Sequence, residues 1–114
     1  MAIYKGTVQK GGEYGRRLGF PSANIPLADA EESGVFAAVV MVGGEKYNAA
    51  VYADRRNRVF EAHLLDFNSD LYGKEIAIEL LKKIREDMRF EGEEEAKAMI
   101  ASDVQKAREY TRMR

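Results

Sequence analysis

Five strand-like segments follow one another along this chain with no helical pattern between them, and a helical period begins only after the last of them. Parallel strands need long crossovers, usually helices, whereas antiparallel strands join through short turns. The order therefore points to an antiparallel barrel or sandwich closed by one packed helix. Residues 2–9 carry Ile3, Tyr4, Thr7 and Val8 before Lys10, Gly11 and Gly12. Val35 to Val42 is an apolar run of strand length, and Gly43 with Gly44 predicts a hairpin into Tyr47 to Ala53. Asp54, Arg55, Arg56 and Asn57 make the next turn, residues 58–65 alternate, and Glu75 to Ile84 returns as a strand. From Glu93 onward, Ala96, Met99, Ile100, Val104, Ala107 and Tyr110 recur at helical spacing, with acids in the first turn and arginines in the last, as the helix dipole favours.

At 114 residues the chain is expected to form one domain, 1–114, with a core that needs no staple. With no cysteine and a single histidine, His63, disulfides, thiolate metal sites and a multi-histidine zinc centre are excluded. A hard cation held by oxygen remains open. Charged residues are 32% of the chain and cancel to a formal net charge of -1, so no global field recruits nucleic acid or anionic lipid. No apolar stretch approaches the roughly 20 residues of a membrane span, and the amino terminus lacks a basic segment followed by an apolar run. A cytoplasmic monomer without nucleic-acid or membrane partners is expected.

The run Leu18 Gly19 Phe20 Pro21 Ser22 Ala23 Asn24 Ile25, entered through Gly11, Gly12, Gly15, Arg16 and Arg17, is the most specialised stretch. Glycines allow backbone amides to approach phosphate oxygens, and arginines add charge-assisted hydrogen bonds. A flexible surface hairpin with solvated arginines fits the same residues. Pro21 pushes Phe20 toward an extended conformation, and in an extended segment Ser22 and Asn24 project to one side. There they either share a magnesium ion, which keeps waters and phosphates in the rest of its octahedron, or hydrogen-bond the turn around Pro21.

In residues 58–65 the alternation puts Phe60, Ala62 and Leu64 on one face and Glu61 and His63 on the other. Glu61 is either a solvent-facing strand residue or a general base for a hydroxyl. His63 takes a supporting role at most. Met88, Met99, Phe90 and Tyr110 read first as core or helix-packing residues and second as walls for a ring-shaped ligand.

Taken together these residues resemble riboflavin kinase, in particular the kinase domain of the bacterial bifunctional riboflavin kinase and FAD synthetase. The resemblance rests on Gly15 through Ile25, on Gly34 Val35 Phe36, on Phe60 Glu61 Ala62 His63 Leu64 Leu65 Asp66 Phe67 and on Asp70 Leu71 Tyr72 Gly73. It continues through Ile84 Arg85, Phe90, and a last helix with Ile100, Asp103, Ala107 and Arg108. It implies a six-stranded antiparallel Greek-key barrel with a carboxy-terminal helix. It also implies transfer of the ATP γ-phosphate to the ribityl 5'-hydroxyl of riboflavin, giving FMN and ADP. Ser22 and Asn24 would then hold Mg2+ and phosphate, and Glu61 would be the base. Gly11, Gly12, Gly15, Arg16, Arg17 and Gly19 would surround the phosphates, the Gly11 to Arg17 loop closing as a lid. Arg85, Met88 and Phe90 would contact the flavin. The chain shows no adenylyltransferase segment, so the implied product stops at FMN.

Two departures from the family pattern stand out. Ser22 occupies a position where threonine is usual, keeping the hydroxyl. The stretch Ala50 Val51 Tyr52 Ala53 Asp54 Arg55 Arg56 Asn57 replaces an Asn-Ile-Gly segment and an Arg-Pro-Thr turn with a shorter connection, which in the family borders the nucleotide. That connection motivates a second reading, a non-catalytic flavin- or nucleotide-binding module. An oligonucleotide-binding barrel has only the fold class in its favour, against the near-neutral charge.

Overall fold

The computed structural model describes residues 3–10, 14–27 and 31–114. In chain order the elements are β1 (Ile3–Thr7), α1 (Tyr14–Arg17), β2 (Ala23–Pro26), β3 (Gly34–Val42), β4 (Glu45–Asp54), β5 (Val59–Leu64), β6 (Glu75–Arg85) and α2 (Glu93–Arg112). The six strands form one antiparallel sheet in the order β1-β6-β3-β4-β5-β2. The sheet curls into a nearly closed barrel: past the end of β1, Gln9 pairs with Asn24 of β2, its amide donating to the Asn24 carbonyl at 2.8 Å. Gly6 allows this seam, because a Cβ there would lie 3.0 Å from the Cβ of Ile25.

The five expected strands are present, and the Gly43-Gly44 hairpin joins β3 to β4 with positive φ of 54° and 89° at the two glycines, the geometry two-residue turns favour. The sixth strand, β2, has only four residues, and its partner β5 lies far along the chain. One expectation is corrected. The glycine-rich stretch is not loop throughout: residues 14–17 form a single helical turn, closed by Gly19 at φ 95°, whose amide donates to the Arg16 carbonyl at 3.0 Å. Gly11 and Gly12 lie outside the described residues.

Inside the barrel, Ile25, Val40, Val51, Phe60, Ile76 and Ile78 are fully buried. On the outside, α2 lies over β3 and β4, where Ala37, Ala50 and Ala107 allow close approach and Ile84, Val104 and Tyr110 fill the flanks. Val35 pairs with Arg85 but Phe36 with Lys83, so Ile84 is an extra residue in β6. This bulge lets two successive side chains, Ile84 and Arg85, both reach the helix.

Gly34 opens β3 at φ 98°, and a Cβ there would lie 2.4 Å from the Arg85 carbonyl oxygen. Replacing it combines left-handed strain with a clash against backbone that cannot swing away. Gly34→Ala is expected to cost about 2–3 kcal/mol and to lower Tm by roughly 10 °C, measured by thermal denaturation.

Candidate active site

Register alone assembles the centre of the site. Asn24 of β2 pairs with Glu61 of β5, Glu61 with Tyr52 of β4, Tyr52 with Val35 of β3, and Val35 with Arg85 of β6. Directly paired residues show their side chains on the same face of a sheet. These five therefore form one lateral row on the outside of the barrel. All five line a groove of about 1080 Å³ whose far wall comes from residues 87–90 and from Ile100, Asp103 and Val104 of α2. The alternation in β5 is as expected, with Phe60, Ala62 and Leu64 buried and Glu61 and His63 half-buried toward the groove.

Ser22 lies just before β2. Its hydroxyl donates to Oδ1 of Asn24 at 3.1 Å, so both oxygens face the same side. Adjacent ligands of an octahedral magnesium with bonds near 2.1 Å sit about 3.0 Å apart, so this pair fits one edge of such a shell. No group of three or more His, Cys, Asp or Glu suited to a metal occurs among the described residues, so the remaining positions would fall to phosphate oxygens and water. His63 holds this segment in place. Its Nδ1 donates to the Pro21 carbonyl at 2.7 Å, the tautomer following from a carbonyl that can only accept, and Phe20 meets the ring edge-on at 5.6 Å.

A second carboxyl, Asp54, lies beside Glu61. Burial, then the charge of Asp54 and a hydrogen bond shared with it, push the Glu61 carboxyl up from 4.5 to about 7. Asp54 is itself buried and closes the turn after β4, accepting from the Asn57 amide at 3.1 Å and from Asn57 Nδ2 at 2.8 Å. Tyr52 donates its hydroxyl to Asp87 at 2.9 Å, and burial together with that carboxylate holds the phenol protonated. Neither Tyr52 nor Asp54 is singled out by motif. Their place opposite or diagonal to Glu61 is the signal, and it appears only once the register is known.

A second, smaller groove of about 350 Å³ carries Arg16, Phe67, Asp70 and Tyr72, and it meets the first at Gln9, Lys10 and Ser22. Arg16 thus reaches a groove, whereas Arg17 and Gly19 line neither, and Arg17 pairs with Glu93 at the start of α2. Met88 and Phe90 line the larger groove. Arg85 lines it too, but its guanidinium is committed elsewhere: it forks onto Asp103 with two 2.8 Å bonds, gives a third to the Glu86 carbonyl at 3.0 Å, and lies 5.6 Å from the centre of the Phe90 ring. Its visible work is to fix the groove wall. The short Asp54 to Asn57 turn borders the larger groove rather than the smaller one.

Two joined grooves with a carboxyl at one and a pair of neutral oxygens at the junction suit transfer of a group between two ligands. The model of one family, described as Flavokinase: Riboflavin kinase, matches residues 2–111. The chain belongs to the riboflavin kinase family. It is 43% identical to the bifunctional riboflavin kinase/FMN adenylyltransferase of Escherichia coli K12, over 92% of this chain and 36% of that protein. The chain thus spans about a third of the length of such relatives. Among solved structures it is similar to a macrolide-efflux protein from Streptococcus pneumoniae (TM-score 0.76, 27% identity, 89% of this chain and 36% of that one). It is also similar to the riboflavin kinase from Trypanosoma brucei (TM-score 0.69, 27% identity, 96% and 79%).

Proposed function

We propose that residues 1–114 act as one unit that phosphorylates riboflavin, using ATP with Mg2+ and releasing FMN and ADP. The observation that carries this reading is the row Asn24-Glu61-Tyr52, which puts a carboxyl of near-neutral pKa beside the Ser22 and Asn24 oxygens where the two grooves join. The flavin would occupy the larger groove, against Met88 and Phe90, and the nucleotide would enter from the smaller one.

In this reading Glu61 accepts the proton of the ribityl 5'-hydroxyl as that oxygen bonds to the γ-phosphorus, and the bond from the γ-phosphorus to the bridging oxygen of ADP breaks. Phosphoryl transfer asks the protein mainly for alignment and charge stabilisation. Ser22 and Asn24 would hold the ion, whose part is to neutralise phosphate charge. Lys10 and Arg16, both beside the junction, supply further positive charge. Gly11, Gly12, Gly15, Arg17 and Gly19 would shape the approach of the phosphates.

The departure at Ala50 to Arg58 is compatible with catalysis, because the Asp54-capped turn leaves Glu61 in register with both neighbours. A net charge of -1 favours small ligands over nucleic acid as partners, and the unit would act as a monomer. Among the described residues no helix is long and apolar enough to cross a membrane.

The test is incubation with riboflavin, ATP and magnesium, followed by chromatography. FMN should form and should vanish when a chelator removes the metal. Quenching of riboflavin fluorescence with no FMN under any nucleotide would leave a binding module instead.

A further inference from the structure

We propose that Tyr52 is a positioning residue of the larger groove: through its hydroxyl on Asp87 it holds the 86–90 segment against the barrel and so sets the width of the slot that receives a planar aromatic ligand. The identity of that ligand as riboflavin rests on the function proposed above; the tether itself rests on contacts in the structure.

The 86–90 segment leaves β6 and belongs to no helix or strand. It carries Met88 and Phe90, which with Ile100 and Val104 of α2 are the apolar side chains of the wall. Polar contacts fix it from opposite sides. From the helix side, Arg85 is locked by Asp103, binds the Glu86 carbonyl and lies against Phe90. From the barrel side, Lys83 of β6 bonds the first residue of the segment, Glu86, at 2.8 Å, and Tyr52 reaches further along it, at Asp87. Tyr52 stands in the row immediately beside Glu61, so its ring forms groove floor while its hydroxyl ties down the wall facing it. One side chain thereby couples the distance between wall and floor to the position of the base. The Arg85-Asp103 fork is nearly buried, whereas the Tyr52-Asp87 bond is exposed, so the tether is the contact that can open to admit a ligand.

Tyr52→Phe keeps the ring and removes only the tether, and Asp87→Ala removes its other end on an exposed residue. Each is expected to raise the riboflavin dissociation constant, read by quenching of flavin fluorescence, and the riboflavin KM by about 3- to 10-fold, the worth of one partly exposed hydrogen bond to a carboxylate. The double variant should do no more than either single change, because both break the same bond. The nucleotide KM should not move. A purely structural hydrogen bond would lower Tm and leave the riboflavin KM unchanged, and that result overturns the proposal. Additive effects of the two substitutions overturn it as well. If the unaltered protein binds no riboflavin, the reading of the ligand fails, and the tether fails with it as a device for flavin. Riboflavin binding that is intact but indifferent to both substitutions removes the tether alone.

Discussion

Glu61→Gln is expected to lower the turnover of riboflavin by about 10²- to 10⁴-fold while leaving riboflavin binding within a few-fold of the unaltered protein. Glutamine keeps the size and the hydrogen-bonding oxygen of the side chain but cannot take a proton. The loss should therefore fall on turnover, and near-normal turnover would remove Glu61 from the role of base. The same substitution carries a stability signature of definite sign. Glu61 titrates at about 7 in the fold against 4.5 as an ordinary carboxyl, so between these pH values the folded state binds more protons than the unfolded one. Stability of the metal-free protein should accordingly fall as pH rises from 4.5 to 7, by an amount on the order of 2 kcal/mol after allowing for partial exposure. Glu61→Gln should flatten that slope and leave the variant the more stable form at pH 8. Urea denaturation at several pH values reads both effects. A slope unchanged by the substitution would show that the carboxyl is not held protonated by its surroundings.

The second large effect concerns the fork between Arg85 and Asp103. Both groups are largely buried, and each bond measures 2.8 Å. Asp103→Ala leaves the guanidinium in a wall that no longer satisfies it, and removal of one partner of a buried pair costs far more than the pair contributes net. About 3 kcal/mol of destabilisation is expected. Arg85→Ala should cost a similar amount, and the double variant clearly less than the sum, measured by denaturant unfolding. Additive losses would mean that the two side chains stabilise the protein independently. The fork also explains how the carboxy-terminal helix serves the site. It fastens α2 to the end of β6, just where the chain turns into the segment that bears Met88 and Phe90.

The sequence carried much of this arrangement because several of its patterns are local. Alternation in residues 58–65 is enough to place Glu61 and His63 on the face opposite Phe60, Ala62 and Leu64, and two glycines with positive φ are enough to place the β3-β4 hairpin. What the patterns do not carry is pairing between distant segments. β2 contains Asn24 and Pro26, residues poor in strands, and it is held by β5 from far along the chain. Tyr52 and Asp54 look like the end of a strand and the start of a turn, and their proximity to Glu61 is a product of register. The helical turn at residues 14–17 spans four residues, one of them Gly15, too short for a period to show. Arg85 illustrates a different limit. The resemblance assigns it to the flavin and its side chain lines the larger groove, whereas its fork onto Asp103, a partner 18 residues away on another element, is a pairing that no local pattern shows.

The central claim is that the two grooves exchange a phosphoryl group at the Ser22-Asn24-Glu61 junction. Transfer of label from ATP carrying a radioactive γ-phosphate to riboflavin, with magnesium present and the flavin isolated by chromatography, tests it most directly. One labelled phosphate per flavin formed is expected, with transfer nearly abolished in Glu61→Gln. Label released only as inorganic phosphate, or a flavin that binds and stays unlabelled, would contradict it.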